Sequence, residues 1–142
     1  MALFTIGYEG RTLEECVAIL LEQAIDVVVD VRRLPLSHKP GFSKTRLSES
    51  LESHGIHYVH MPELGSPKEW REELRHTGDF PQFFRRYRAG LATQEASLAS
   101  LHRLECEQRI CLLCVERSHR HCHRSVLGRT LAERGRGDPV HL

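Results

Sequence analysis

A continuous run of β-branched residues over residues 26–32 constrains the fold of this chain most strongly. The run reads DVVVDVR and places valines on both faces of an extended strand. Strands with two apolar faces are typical of parallel sheets that are covered by helices on both sides. The run therefore predicts a parallel sheet inside a layered α/β structure.

Further strand-like runs lie on both sides of this one. They occupy residues 3–8, 57–61 and 109–115, and residues 140–142 can add a last short strand. Segments with helical spacing of apolar residues separate them. This alternation predicts one three-layer α/β domain over residues 1–142, with right-handed crossovers and a mostly parallel sheet of four to five strands.

The helices are indicated by caps and by apolar residues three and four positions apart. Thr12 is the expected cap of the first helix and Ser43 of the second. Three more helices are expected between residues 62 and 105, and the last from residue 122 or 123 to residue 133. The aromatic stripe of the fourth helix, from Phe80 to Tyr87, is interpreted as core packing.

The composition excludes several classes of protein. No apolar run approaches the ~20 residues of a membrane span, and a net charge of +1 gives no general attraction to nucleic acid or membrane. The five cysteines are an odd number at irregular spacing, which favours reduced thiols over a disulfide framework. Since no basic and apolar leader opens the sequence, we expect a cytoplasmic protein.

Ionisable side chains collect where the predicted strands end. In open α/β sheets, ligands bind beyond the carboxyl ends of the strands. The residues that this rule selects are Tyr8, Glu9 and Arg11 after the first strand, Asp30, Arg32 and Arg33 after the second, His60 at the third, and Cys114 and Glu116 at the fourth.

Four ordered motifs carry a resemblance to a known family. They are TIGYEGR at residues 5–11, DVRRLPLS at 30–37, YVHMPELG at 58–65, and LCVE at 113–116 followed by CHR at 122–124. Together they resemble the domain of unknown function 488 family. The resemblance implies a compact α/β domain with the motifs around one site, and it implies no reaction. The chain departs from the family at His38, where relatives often carry arginine.

Arginines at the strand ends suggest an anion site. Arg11, Arg32, Arg33 and Arg124 could converge on a phosphate or nucleotide, helped by the N-terminus of the last helix. In the alternative interpretation, Asp30 and Glu116 pair with two of these arginines in a structural network.

The cysteines also allow more than one interpretation. Cys114 is either a small core residue or a nucleophile at a strand end, and Cys122 with His123 lies where a helix start lowers a thiol pKa. Residues 114–120 also match the spacing of a cysteine phosphatase or rhodanese-like sulfurtransferase loop. That match is weak because the segment contains no glycine to wrap its amides round an oxyanion.

A metal site is not expected, because the segment lacks the two short cysteine or histidine pairs of a structural zinc site. We also expect no cofactor. Cys111 and Cys114 have a short spacing, but on a strand they would point to opposite faces.

The leading hypothesis is an enzyme, or enzyme-like domain, that acts on an anionic substrate at the carboxyl edge of the sheet. The alternatives are a non-catalytic module that binds an anion or nucleic acid, and a phosphatase or sulfurtransferase using Cys114. The candidate catalytic residues are Asp30, Cys114, Glu116, Cys122 and His123. The candidate substrate-binding residues are Tyr8, Glu9, Arg11, Arg32, Arg33, Ser37, His60 and Arg124.

Overall fold

A computed structural model describes residues 3–134 and 137–142 of the chain. Its strands are β1 (Leu3–Gly7), β2 (Val27–Asp30), β3 (His57–His60), β4 (Ile110–Cys114) and β5 (Val140–His141). They form one sheet in the order β3-β2-β4-β1-β5, and every pair of neighbours is parallel. The α/β class and the parallel sheet predicted from the sequence are confirmed.

Within the described residues, six α-helices connect the strands. They are α1 (Leu13–Glu22), α2 (Lys44–Ser53), α3 (Lys68–Thr77), α4 (Phe80–Leu91), α5 (Glu95–Glu107) and α6 (His123–Ala132). Short 3-10 helices lie at Pro62–Leu64 and His119–His121.

The two predicted caps have different outcomes. Thr12 forms a capping box with Glu15 at the start of α1, as predicted. Ser43 precedes α2 but makes no cap bond. Its hydroxyl instead accepts a hydrogen bond from the Ser37 amide and donates to the Ser37 carbonyl, so it fixes the loop after β2.

The sheet separates two apolar clusters, which gives the three layers. On one side, α1 and α2 pack through Val17, Leu20, Leu47 and Leu51. On the other, α4, α5 and α6 pack through Tyr87, Leu91, Leu98, Leu101, Leu127 and Leu131. Phe83 and Tyr87 of the aromatic stripe are buried.

Strand β4 occupies the centre of the sheet, between β1 and β2. Cys111 belongs to the cluster on the side of α1 and α2, whereas Cys114 belongs to the opposite cluster. The prediction that these two thiols point to opposite faces is confirmed. Cys114 therefore ends the central strand on the side where α6 begins.

Candidate active site

A cavity of about 490 Å³ lies at the carboxyl end of β4. Its walls come from the end of β4, the loop after β2, α3, Phe83 of α4 and the start of α6. Its volume lies within the usual range for pockets that bind small molecules. The cavity is on the edge of the sheet that the strand-end rule selected.

The inner wall of the cavity holds a buried cluster of sulfur and imidazole groups. Cys114 is the last residue of β4, Cys122 immediately precedes α6, and His123 is its first residue. The thiols and one ring nitrogen lie within 4.8 Å of one another. Nδ1 of His123 is 3.9 Å from each sulfur. The end of β4 and the start of α6 thus bring three side chains together into one chemical group.

The backbone of β2 orients His123. Its Nε2 lies 3.0 Å from the carbonyl oxygen of Val31, and only a protonated Nε2 can donate there. The ring of Tyr87 packs edge-on against the imidazole, with the ring centres 4.9 Å apart. These two contacts leave Nδ1 facing the thiols.

The side chains of the cluster shift one another's pKa values. Burial alone would raise the pKa of Cys122, but a hydrogen bond from Cys114 and the positive charge of His123 bring it well below its ordinary value. The hydrogen bond to Cys122 and burial raise the pKa of Cys114. Burial opposes the charge on His123, yet the Cys122 thiolate raises the pKa of His123. These opposite directions favour a negative charge on Cys122 over one on Cys114.

Glu116 extends this cluster toward the opening of the cavity. Its Oε2 lies 3.7 Å from Sγ of Cys114 and is an alternative acceptor to Cys122 for the single S–H of Cys114. Burial, followed by the negative charge of Cys122, raises the pKa of the Glu116 carboxyl group. The candidate residues Cys114, Glu116, Cys122 and His123 all line the cavity.

Cationic side chains line the outer wall. Arg33 comes from the loop after β2, and Lys68, Arg71 and Arg75 come from α3. Sequence reasoning selected Arg33 but missed the other three. Their spacing of three and four residues places them on one helix face, which was the available signal.

Apolar side chains complete the cavity. Leu34 and Leu36 come from the loop after β2 and are 56% and 72% exposed. Leu74, Phe83 and Val115 lie around them. A ligand in this space would meet both cations and apolar surface.

Asp30 and Arg32 form a buried pair behind this wall. Arg32 lines the cavity, but its Nε and Nη2 donate to the Asp30 carboxylate and its Nη1 donates to the carbonyl oxygen of Phe42. The hydroxyl of Tyr58 donates to the same carboxylate. The structural-network interpretation accounts for Arg32 and Asp30, because their polar groups have protein partners.

Three predicted substrate-binding residues support this pair or its loop. Tyr8 accepts a hydrogen bond from Arg32 and stacks on Phe42, with ring centres 4.2 Å apart. The Nε2 atom of His60 donates a hydrogen bond to the carbonyl oxygen of Arg32. Ser37 is bonded to Ser43. Each holds the loop after β2 in place.

The side chain of Arg124 also binds backbone atoms instead of facing the cavity as a free cation. It is fully buried, and its guanidinium donates to the hydroxyl of Thr5 and to the carbonyl oxygens of Glu116 and Arg117. It therefore anchors the loop after β4 to β1. Arg124 is not among the residues that line the cavity, so it does not join Arg32 and Arg33 there.

Glu9 and Arg11 lie apart from the cavity. The exposed Glu9 accepts a hydrogen bond from the amide of Arg117. Arg11 is half-buried, and burial together with the charge of Arg117 lowers the pKa of its guanidinium. The structure thus brings four of the five candidate catalytic residues to the cavity, but only Arg32 and Arg33 among the candidate binding residues.

The loop over residues 114–120 does not resemble an oxyanion cradle. The amide of Arg117 donates to Glu9, and the carbonyls of Glu116 and Arg117 accept from Arg124. Residues 119–121 form a 3-10 helix instead of curling round a central anion. This backbone does not favour the phosphatase-type interpretation.

Comparison with protein families identifies the chain. The model of the family described as Domain of unknown function DUF488 matches residues 12–131, which is 120 of the 142 residues. The chain belongs to the DUF488 family. The resemblance found in the motifs is therefore confirmed, although the motif at residues 5–11 of this DUF488 domain precedes the matched span. Comparison with the curated proteins found no match, and comparison with the solved structures found none either.

Within residues 3–134 and 137–142, no helix combines the length and the apolar character needed to cross a bilayer.

Proposed function

We propose that this DUF488 domain is an enzyme that binds a phosphate-bearing substrate, such as a nucleotide, in the cavity at the end of β4. One observation carries the proposal. The cations Arg33, Lys68, Arg71 and Arg75 line the same cavity as the reactive side chains Cys114, Glu116, Cys122 and His123.

The charge of the cavity favours an anion. Glu116 is the one acidic residue among the described residues that line it. Lys68 has a surface partner in Glu72, at 3.8 Å. Nε of Arg71 is buried and has no hydrogen-bond acceptor among the described residues. An anionic ligand in the cavity would accept charge-assisted hydrogen bonds from the guanidinium of Arg71, which lines it.

The apolar wall favours an organic ligand over inorganic phosphate. Leu34, Leu36 and Phe83 offer surface for a ring or chain, while the α3 cations lie beside them. Burying apolar area contributes about 25 cal/mol per Å². A substrate with an anionic and an apolar part would use both surfaces, and a nucleotide or a nucleic-acid end has this composition.

The chemistry would take place at the inner wall. A substrate held by the α3 cations would meet the sulfurs of Cys114 and Cys122, the imidazole of His123 and the carboxyl group of Glu116. Asp30, Arg32, Tyr8, His60 and Arg124 would act as positioning residues, because they hold the two loops that form the walls.

Binding is tested with a double variant of α3. We expect Arg71→Gln with Arg75→Gln to weaken the binding of nucleoside monophosphates and diphosphates at least tenfold, as measured by isothermal titration calorimetry. The control is Arg46→Gln, because Arg46 is exposed on α2 in the other helical layer. If both variants bind like the unchanged protein, the cavity is not the anion site.

Catalysis is tested separately from binding. Cys122→Ser should abolish turnover of the bound anion while changing its affinity by less than a few fold. If bound nucleotides, oligonucleotides and sugar phosphates are recovered unchanged by mass spectrometry, the result favours the non-catalytic binding module.

The same proposal includes the cellular setting and the organisation of the chain. Within the described residues, none of the five cysteines forms a disulfide bond, which supports a reducing, cytoplasmic location. Strands from both ends of the sequence share one sheet, which supports a single domain over residues 1–142.

A further inference from the structure

The cluster at the inner wall has the donor atoms of a metal site. Cys114, Cys122 and His123 present two sulfurs and Nδ1 within 4.8 Å of one another. All three side chains are buried. We propose that these residues bind one zinc ion through the two sulfurs and Nδ1, with the fourth coordination position open to the cavity.

The distances fit a tetrahedral ion. Zinc lies about 2.3 Å from sulfur and about 2.0 to 2.1 Å from nitrogen, so tetrahedral angles place these two ligands about 3.6 Å apart. The observed distance from Nδ1 to each sulfur is 3.9 Å. The two sulfurs, which would lie about 3.8 Å apart on such an ion, are within 4.8 Å of each other here, so side-chain adjustments of up to about 1 Å would bring all three donors to bonding distance.

The imidazole is already oriented for coordination. Its Nε2 donates to the carbonyl oxygen of Val31, so the lone pair of a neutral ring lies on Nδ1 and faces the sulfurs. Metal-binding histidines almost always donate their other ring nitrogen to a carbonyl or carboxylate. Tyr87 holds the ring from the side. The contacts that orient a metal-binding histidine are therefore present.

The donor set favours zinc over harder ions. Two thiolates and one imidazole suit zinc, whereas magnesium and calcium prefer oxygen ligands. Two thiolate charges would also neutralise a divalent ion, which lowers the cost of burying it.

The open coordination position indicates a catalytic zinc site instead of a structural one. Structural zinc sites have four protein ligands, whereas catalytic sites have three and keep one position for water or substrate. Three ligands from separate positions do not require the paired short spacings of a zinc finger, which is why sequence spacing did not indicate this site. When bound, an ion here would supply a Lewis acid beside the anion-binding wall.

The test uses the full chain. It is purified in the presence of a phosphine reductant, its metal is removed with a chelator, and zinc or cobalt is then added. We expect inductively coupled plasma mass spectrometry to find about one zinc ion per chain. We expect the cobalt-substituted protein to show thiolate charge-transfer absorption and the intense absorption bands of tetrahedral cobalt. Cys114→Ser, Cys122→Ser and His123→Gln should each lose these signals. Cys111→Ala is the matched control, since Cys111 lies on the same strand and points to the other face.

The remaining outcomes are decisive as well. Folding of each variant is checked by circular dichroism, and zinc should raise the thermal midpoint of the unchanged protein but not that of a folded ligand variant.

If the reduced, folded, unchanged chain retains neither zinc nor cobalt, the proposal is overturned. Loss of metal in Glu116→Gln would overturn the open fourth position. Metal content should not change in the Arg71 and Arg75 variants, so this inference and the proposed function can fail separately.

Discussion

Asp30 and Arg32 form a bidentate ion pair that is buried at the carboxyl edge of the sheet. The Arg32 Nε and Nη2 atoms lie 2.8 and 2.7 Å from the two carboxylate oxygens of Asp30. The two side chains are 3% and 0% exposed. The pair connects the end of β2 to the loop that forms one wall of the cavity.

Breaking this pair from one side should be more costly than replacing it. Arg32→Met leaves a buried, uncompensated carboxylate, and we expect a loss of about 3 to 5 kcal/mol in the free energy of unfolding. The double variant with Asp30→Leu should lose less, because no charge remains buried. Urea unfolding measures both, and Arg46→Met on the surface of α2 should stay within about 0.5 kcal/mol. Equal losses in the single and double variants would contradict this account.

The sequence predicted the strands more completely than it predicted the cavity. A run such as Val27–Asp30 indicates a buried strand through its own composition, and Thr12 with Glu15 indicates a cap through local spacing. Both features depend on residues close together in the chain. For this reason they are readable without knowledge of tertiary contacts.

The cavity depends on how separate elements pack. The face of α3 that carries Arg71 and Arg75 meets the inner wall because α3 packs on α4, and α4 packs on α6. Similarly, nothing local distinguishes Arg124, which is buried and holds backbone carbonyls, from Arg33, which faces the cavity. Sequence reasoning therefore selected the edge of the sheet where the cavity lies, but of the four arginines that it named for an anion site only Arg32 and Arg33 line that cavity.

Gly7 lies where β1 approaches the loop after β4. A Cβ atom there would be 1.7 Å from the carbonyl oxygen of Glu116, which accepts from Arg124. Gly7→Ala should therefore displace that loop and lower the free energy of unfolding by about 2 kcal/mol or more. Gly90→Ala is the control, because its Cβ would lie 3.8 Å from Trp70 and helix propensity favours alanine. Chemical denaturation compares them, and equal stability of the two variants would be inconsistent with the close approach.

Arg124 should resist conservative replacement. Its guanidinium donates to three acceptors in different directions, the Thr5 hydroxyl and the carbonyls of Glu116 and Arg117. A lysine ammonium is a compact donor that lacks this planar geometry. We expect Arg124→Lys to lose about 2 to 4 kcal/mol of stability, since buried carbonyls lose their partners. Arg129→Lys, at an exposed position of α6, serves as the control. A loss below about 0.5 kcal/mol would show that the loop is held by other contacts.

His141 should make stability fall in mild acid. Burial, followed by the charges of His119 and Arg124, lowers the pKa of His141 to about 4. Its ring stacks on His119 with the ring centres 3.6 Å apart. Thr5 accepts from Arg124, so its hydroxyl proton is free to donate to Nδ1 of a neutral His141. Protonation would remove that acceptor and add a positive charge beside Arg124.

The direction of the pH effect follows from this lowered pKa. The unfolded chain binds the proton near pH 6.5, whereas folded His141 binds it near pH 4. Its contribution is therefore fully present above about pH 6.5, declines as the pH falls toward about 4, and declines no further below that. We expect His141→Gln, which can still accept from Thr5 but does not titrate, to flatten the fall in urea midpoint between pH 7 and pH 4. His54→Gln, at an exposed position of the chain, is the control. If both variants keep the original slope, His141 is not the group that destabilises the fold in acid.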